Sequence, residues 1–430
     1  MPYNNVRKGR DFEVINSEIH RIETVFSSSQ YGSRRIQQLF LIEDNINFLN
    51  NGSFGATPRI VLLAQQFWRE KMEMQPIRFM TKELPIYQRS ALALLANFLH
   101  AHVSSMAFVQ NATTGMNAVI RSQMIKWSAG DEILTTNHVY GAVRNTLLYA
   151  ASCRNATMIE ASIPFPIMNE QQIVQAIESA ITDKTVFLCI DHITSPSGII
   201  FPIKQIIELA HSKGIPILVD GAHAPGMIDL HIEDLQPDWY TGNCHKWIFA
   251  PKGCAFLWTH PKHQKDTHPT VISHGYLQGY IQEFDWTGTN DFSAYLSIST
   301  ALDFYAATGA ATLRAYQSQK AIEIRNLLSS AWNTPLASPD LMIGSLAAQQ
   351  IPSHLWPDKQ DHQAYAEALH DVLWENYTIE VPVIAFANTI WIRISVQVFN
   401  TDEQYHYLAQ VVKKMKKREI LTMMKSKNQA

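Results

Sequence analysis

Positive charge is not in excess, cysteines are few, and no apolar run is long enough to cross a bilayer. Lys and Arg number 35 against 38 Asp and Glu, a formal net charge of −3. No global positive field therefore draws the chain to nucleic acid or to an anionic membrane. The four cysteines, Cys153, Cys189, Cys244 and Cys254, are scattered and form no CxxC pair. That excludes a disulfide scaffold, a zinc ribbon and a thioredoxin-type motif. A membrane helix needs about 18 or more apolar residues, and the longest apolar runs, such as residues 215–219, are of strand length. No GxGxxG follows a predicted strand, which argues against a nicotinamide oxidoreductase. His263 and His268, and His362 and His370, lack an HExxH frame, so no catalytic metal is expected. Charged residues make up only 17% of the 430, below the usual ~25%, which points to surface withdrawn into a subunit contact. The first eight residues are polar and carry no leader-type apolar core, so the expected location is the cytoplasm.

What is present is a globular apolar content of 46%, too high for disorder. Residues 106–110 read as a strand and 114–127 as a helix, with Met116, Val119, Ile120 and Met124 near one face. Residues 132–135 and 185–190 read as strands, 141–151 and 202–213 as helices, and 215–220 as another buried strand. Continuous apolar strands joined by helices predict an α/β fold with a mostly parallel central sheet. Ligands of such sheets sit at the carboxyl ends of the strands. Beyond residue 300, long helical stretches precede Thr-Ile-Trp-Ile-Arg-Ile-Ser at 389–395, which alternates with period two. It predicts an antiparallel strand with one wet face, followed by a last helix over 401–418 that ends in a run of lysines. The expected division is an N-terminal arm (1–45) packing on the smaller domain, a large α/β domain (46–300) and a small α+β domain (301–430).

Three stretches carry chemistry. Ile217-Leu218-Val219-Asp220-Gly221-Ala222-His223 puts a carboxylate at the end of a buried strand, where ionisation is costly without a cation nearby. A turn-capping Asp would look the same. Lys246, in Gly242-Asn243-Cys244-His245-Lys246-Trp247, precedes apolar residues that could desolvate its amine and make it a nucleophile for carbonyls. A surface lysine with a buried stem is the plain alternative. Gln110-Asn111-Ala112-Thr113-Thr114-Gly115 follows a strand and opens a helix, a place for a phosphate or simply a helix cap. Together they match the needs of pyridoxal phosphate: a lysine for its aldehyde, a carboxylate for its ring nitrogen, a helix start for its phosphate.

These segments, with Asp285-Trp286-Thr287-Gly288-Thr289-Asn290-Asp291 and Leu49-Asn50-Asn51-Gly52-Ser53-Phe54-Gly55, resemble class V aminotransferase-fold enzymes, in particular the isopenicillin N epimerase-like branch. The resemblance implies the fold-type I architecture of pyridoxal-phosphate-dependent transferases. It implies Lys246 as the Schiff-base lysine that also moves the α-proton, and Asp220 on the ring nitrogen. Thr113, Thr114, Asn243 and His245 would hold the phosphate, with Thr289 reaching across a homodimer with shared sites. His223 and Ser195 would lie near the ring hydroxyl, and Tyr140, with His138 next in order, would stack on the ring. Arg393 would grip the substrate carboxylate, with Asn51 on the substrate side. Where the family often has Arg after Gly-Thr, this chain has Asn290. The implied activity is removal of the α-proton of an amino acid or amino-acid-like substrate, as in the epimerase. A C–S or β-lyase, an aminotransferase, or a non-catalytic binding module are the alternatives. A desulfurase is disfavoured because residues 330–370 contain no cysteine.

Overall fold

The computed structural model describes residues 10–357 and 361–427; the first nine residues of the expected arm lie outside them. Seven strands form the main sheet: β1 (Met106–Val109), β2 (Glu132–Thr136), β3 (Thr157–Ala161), β4 (Thr185–Asp191), β5 (Ile217–Asp220), β6 (Trp239–Asn243) and β7 (Ala255–Thr259). Their order across the sheet is β1-β7-β6-β5-β4-β2-β3. Only β7 is antiparallel to its neighbours, so six strands point the same way. β1, β5, β6 and β7 are buried along their whole length, as expected for a sheet covered on both faces.

The carboxyl ends of β1, β4, β5 and β6 meet along one edge, and the chain's polar residues cluster there. Helix α1 (Ala112–Gln123) starts directly after β1, because Asn111 caps it by accepting the Thr114 N–H at 2.9 Å. The cap sets the start two residues before the predicted 114, and the helix closes as a short 3₁₀ turn over Met124–Lys126. Asn243 Oδ1 accepts the Ala112 N–H at 2.9 Å and ties the end of β6 to this helix start.

A second, three-stranded antiparallel sheet is built from β8 (Leu346–Gln350), β9 (Val383–Phe386) and β10 (Thr389–Ser395), in the order β9-β10-β8. The predicted wet face of 389–395 is not wet. Ile390, Ile392 and Ile394 join one core cluster, while the alternate residues Trp391, Arg393 and Ser395 are also buried. They face the rest of the protein: the Ser395 hydroxyl accepts the Gly52 N–H, and Arg393 reaches Ser195. The final helical stretch is two helices, Asp402–Lys414 and Lys417–Lys427, parted at Met415 and Lys416. The Lys416 N–H there donates to Glu419 Oε1.

The helix of the N-terminal arm, Arg10–Ser28, lies on the larger unit and not on the smaller one. Phe12 meets Phe67 and Trp68 at 4.9 and 6.0 Å, and Phe26 meets Phe304 at 5.7 Å. The segment after it reaches the smaller sheet's trailing loop, through Gly32 N–H to the Val398 carbonyl, Gln37 Nε2 to the Phe399 carbonyl and the Phe40–Phe399 ring contact. Among the described residues no helix is long and apolar enough to cross a membrane.

The close seating of α1 on β6 is testable. A Cβ at Gly115 would meet Thr241 Oγ1 at 2.4 Å and Cβ at 3.0 Å. That hydroxyl is committed to the Phe256 carbonyl at 2.7 Å, so it cannot swing aside freely. Gly115→Ala should cost about 1–3 kcal/mol by overpacking, read by chemical denaturation. Gly141→Ala, with nothing within 4 Å, should stay within about 0.5 kcal/mol.

Candidate active site

A cavity of about 700 Å³ opens at the carboxyl edge of the main sheet. Lys246, Asp220, His223 and Asp191 line its floor, and Tyr140 and Ser53 are among its outer residues.

Lys246 sits three residues past β6. Asn51 holds its backbone, donating from Nδ2 to the Lys246 carbonyl at 3.0 Å. The ammonium is pushed down to about 7, first by burial, then by the positive Arg393; Asp220 and Asp191 act in the opposite direction. Its Nζ lies 3.1 Å from His223 Nε2. Asp220, the last residue of β5, is buried and accepts the Ala222 N–H at 2.9 Å. Burial raises its carboxyl above the usual range, offset in part by that N–H and by Lys246.

Arg393 projects from β10 into the same place. Its guanidinium is 3% exposed, donates to the carbonyl and hydroxyl of Ser195, and reaches Ser53 Oγ at 3.5 Å. Its Nε has no partner, and among the described residues no carboxylate pairs with it. Burial depresses it to about 10. A buried guanidinium served only by neutral oxygens is a built receptor for a carboxylate.

The phosphate-type residues separate into two groups. Thr113, Asn243 and His245 line the cavity. His245 Nδ1 is buried without a partner, and burial and Lys246 depress the ring to about 4. Thr114 does not line the cavity, and its amide and hydroxyl both go to the Asn111 cap, at 2.9 and 3.1 Å. Thr289 is exposed and lies off the cavity, although Asn290 and Asp291 line it. Ser195 lines it as well.

Two sequence expectations change. Asn51 is not a substrate contact: it is fully buried, with Nδ2 on the Lys246 carbonyl and Oδ1 on the Ala56 N–H, both amide ends spent on backbone. Ser53, two residues on, faces the cavity instead. His138 does not reach the cavity either. Its ring is buried among Phe165, Phe201 and Phe386 at 4.6–5.7 Å, with Nδ1 on Ser197 Oγ at 2.8 Å. Tyr140 is the half-exposed aromatic on the cavity wall.

Asp191 escaped the sequence reading. It ends β4, its Cα pairs with Asp220 across the strands, and its Oδ2 is buried without a partner. Burial first and the nearby Asp220 second raise it well above the usual range. The signal was available, since it closes an apolar strand as Asp220 does. An amine of lowered basicity, a carboxyl at a strand end, a helix start and an unpartnered ring nitrogen fit a flat anionic heterocycle bearing an aldehyde.

This arrangement places a lysine of lowered basicity at the carboxyl edge of a mostly parallel sheet in an α/β fold. The chain belongs to the class-V aminotransferase family, matched over residues 59–352. An L-cysteine desulfhydrase of Arabidopsis thaliana is 27% identical, over 86% of this chain and 87% of its own. The isopenicillin N epimerase of Amycolatopsis lactamdurans is 28% identical, over 87% and 96%. Among solved structures, the cysteine desulfurase of Thermococcus onnurineus NA1 shares the fold at a TM-score of 0.73 and 15% identity, over 90% of this chain and 98% of that one. The cystine C–S lyase C-DES does so at 0.71 and 19%, over 87% and 98%.

The two aromatic candidates should part in experiment. His138→Ala should destabilise the protein by about 2–4 kcal/mol, as for large buried rings. Tyr140→Ala should stay within about 0.5 kcal/mol in denaturant unfolding while weakening retention of an aromatic ligand.

Proposed function

We propose that the protein is a pyridoxal-phosphate-dependent enzyme that removes the α-proton of an amino acid, and that its reaction is cleavage at Cβ of a cysteine-like substrate. The observation that carries the reading is Lys246 and Asp220 on one cavity, with the anion-free Arg393 set against two of its lining residues, Ser195 and Ser53. Bound there, the cofactor would supply an aldehyde for the lysine and an electron-withdrawing ring that makes the α-hydrogen acidic. Asp220 would hold the ring nitrogen, and Thr113, Asn243 and His245 the phosphate, with the amino end of α1 behind them.

The chain's own groups divide the work. Arg393 binds and orients the substrate carboxylate through a planar fork of donors. Lys246, near 7, is free base in a large fraction at neutral pH, so it can accept the α-proton and later return it to a leaving group. One base is enough for elimination, and the desulfhydrase relatives support that outcome. Epimerisation is the second reading: the epimerase relatives support it, and Asp191 offers another proton-bearing group on the cavity wall. The exposed Thr289 beside Asn290 and Asp291, at the cavity's open side, supports a homodimer in which that loop serves a neighbour.

Borohydride should fix the cofactor to the native chain on Lys246 and not to Lys246→Ala; covalent trapping in that variant would end the assignment. Incubated with L-cysteine, the enzyme should release pyruvate, ammonia and sulfide. Deuterium exchange at Cα with none of these products would turn the reading to the epimerase. Arg393→Lys keeps the charge but loses the fork, and should raise KM by about 10–100-fold with a smaller fall in kcat.

A further inference from the structure

His223 touches two nitrogens, and their chemistry is unequal. Its Nδ1 lies 3.4 Å from Trp247 Nε1 and its Nε2 lies 3.1 Å from Lys246 Nζ. An indole N–H only donates, so Nδ1 must accept. The imidazole is 1% exposed and is kept neutral by burial, then by the charges of Lys246, Arg393 and His245. A neutral ring that accepts at Nδ1 carries its proton on Nε2. That proton points at Lys246, where only a lone pair can receive it. The opposite tautomer would set two N–H groups against each other in a buried site, with Trp247 itself 1% exposed. The rings are tilted to each other by 49° with centroids 6.4 Å apart, so the contact is a hydrogen bond and not a stack.

We infer that Trp247 is a positioning residue for Lys246: its indole N–H fixes the His223 tautomer, and that tautomer offers the lysine a donor, which favours the free amine over the ammonium. The inference rests on Lys246 being the reacting amine, but it concerns the state of that amine in the protein alone. Other charges facing the amine are Arg393 from β10, which acts in the same sense, and Asp220 from β5 and Asp191 from β4, which act against it. Trp247 bears no charge. Its effect passes wholly through the imidazole, which gives it a signature separate from theirs.

Without the indole N–H, His223 can turn its lone pair to Lys246 and accept from an ammonium. The lysine then holds its proton to higher pH. The experiment is competitive labelling of the cofactor-free enzyme with a neutral amine reagent, with modification of Lys246 read by mass spectrometry over about pH 5 to 10. Trp247→Phe removes the donor and keeps a ring. Site-specific replacement of Trp247 by benzothienylalanine, with sulfur in place of N–H, keeps the bicyclic shape. The midpoint should lie near 7 in the native chain and about one unit higher in both variants. An unchanged or lower midpoint in a folded variant overturns the inference. Should neither variant fold, the native protein decides: ¹⁵N shifts must show His223 protonated at Nε2, and protonation at Nδ1 overturns it. Borohydride trapping tests Lys246 as the reacting amine, whereas the labelling midpoint and the tautomer test Trp247, so either can fail alone.

Discussion

Ionisable side chains withdrawn from water crowd around one cavity, and the balance of their charges governs the rest. Lys246 and Arg393 come from the cationic side, Asp220 and Asp191 from the acidic. Burying an ion costs several kcal/mol even after relaxation, so groups that can shed charge do so. The lysine falls toward neutrality, and the carboxyl of Asp191 is pushed well above the usual range. Arginine cannot follow, because its guanidinium stays protonated. Its charge is therefore fixed, and the two cavity-lining serine residues beside it give oxygens without a counter-charge. Under the proposed function, an α-carboxylate would supply what is missing.

Holding these groups at their stations falls to three asparagines. Asn111 caps α1, Asn243 ties the end of β6 to that helix start, and Asn51 holds the backbone at Lys246. Each uses its amide on main-chain groups, where a short side chain with a planar head fixes a direction as well as a distance. Gly115 belongs to the same device, since the helix start can approach β6 only if nothing projects toward Thr241. The site is thus positioned by backbone contacts between neighbouring segments, and its reactive groups remain free of structural duty.

Much of this was legible in the amino-acid order. Asp220 and Lys246 interrupt apolar strand-and-loop text with groups that are costly to bury, and that cost is itself the signal. What was not legible is direction. Asn51 and Ser53 stand two apart in one turn of helix, and nothing in their types says which faces the cavity. His138 and Tyr140 also stand two apart, after a strand that would keep them on one side. The turn that follows β2 rotates them apart, one into an aromatic nest and one to the wall. The alternation at 389–395 was real, but period two reports only that a strand's faces differ. It does not say that the polar face is wet, and here Arg393 and Ser395 spend their polar atoms on Ser195 and the Gly52 N–H inside the protein. The arm helix shows an apolar stripe without an address, and only the packing reveals that it belongs to the larger unit.

The likeness in fold to cysteine desulfurases does not extend to a sulfur carrier, because none of the four cysteines lines the cavity. Cys189 is buried within β4. Cys244 is wholly buried, hydrogen-bonded to Cys254, and its thiol is pushed well above the ordinary range by burial. A thiol held protonated in apolar surroundings is a poor nucleophile. Cys153 is exposed, but it lies near the end of the helix over Gly141–Arg154, away from Lys246. A sulfur cut from a substrate here would have no side chain waiting to take it up as a persulfide. It would depart with the proton that Lys246 can return. In this family the scaffold is common property, and the side chains that reach the cavity decide the fate of the leaving group.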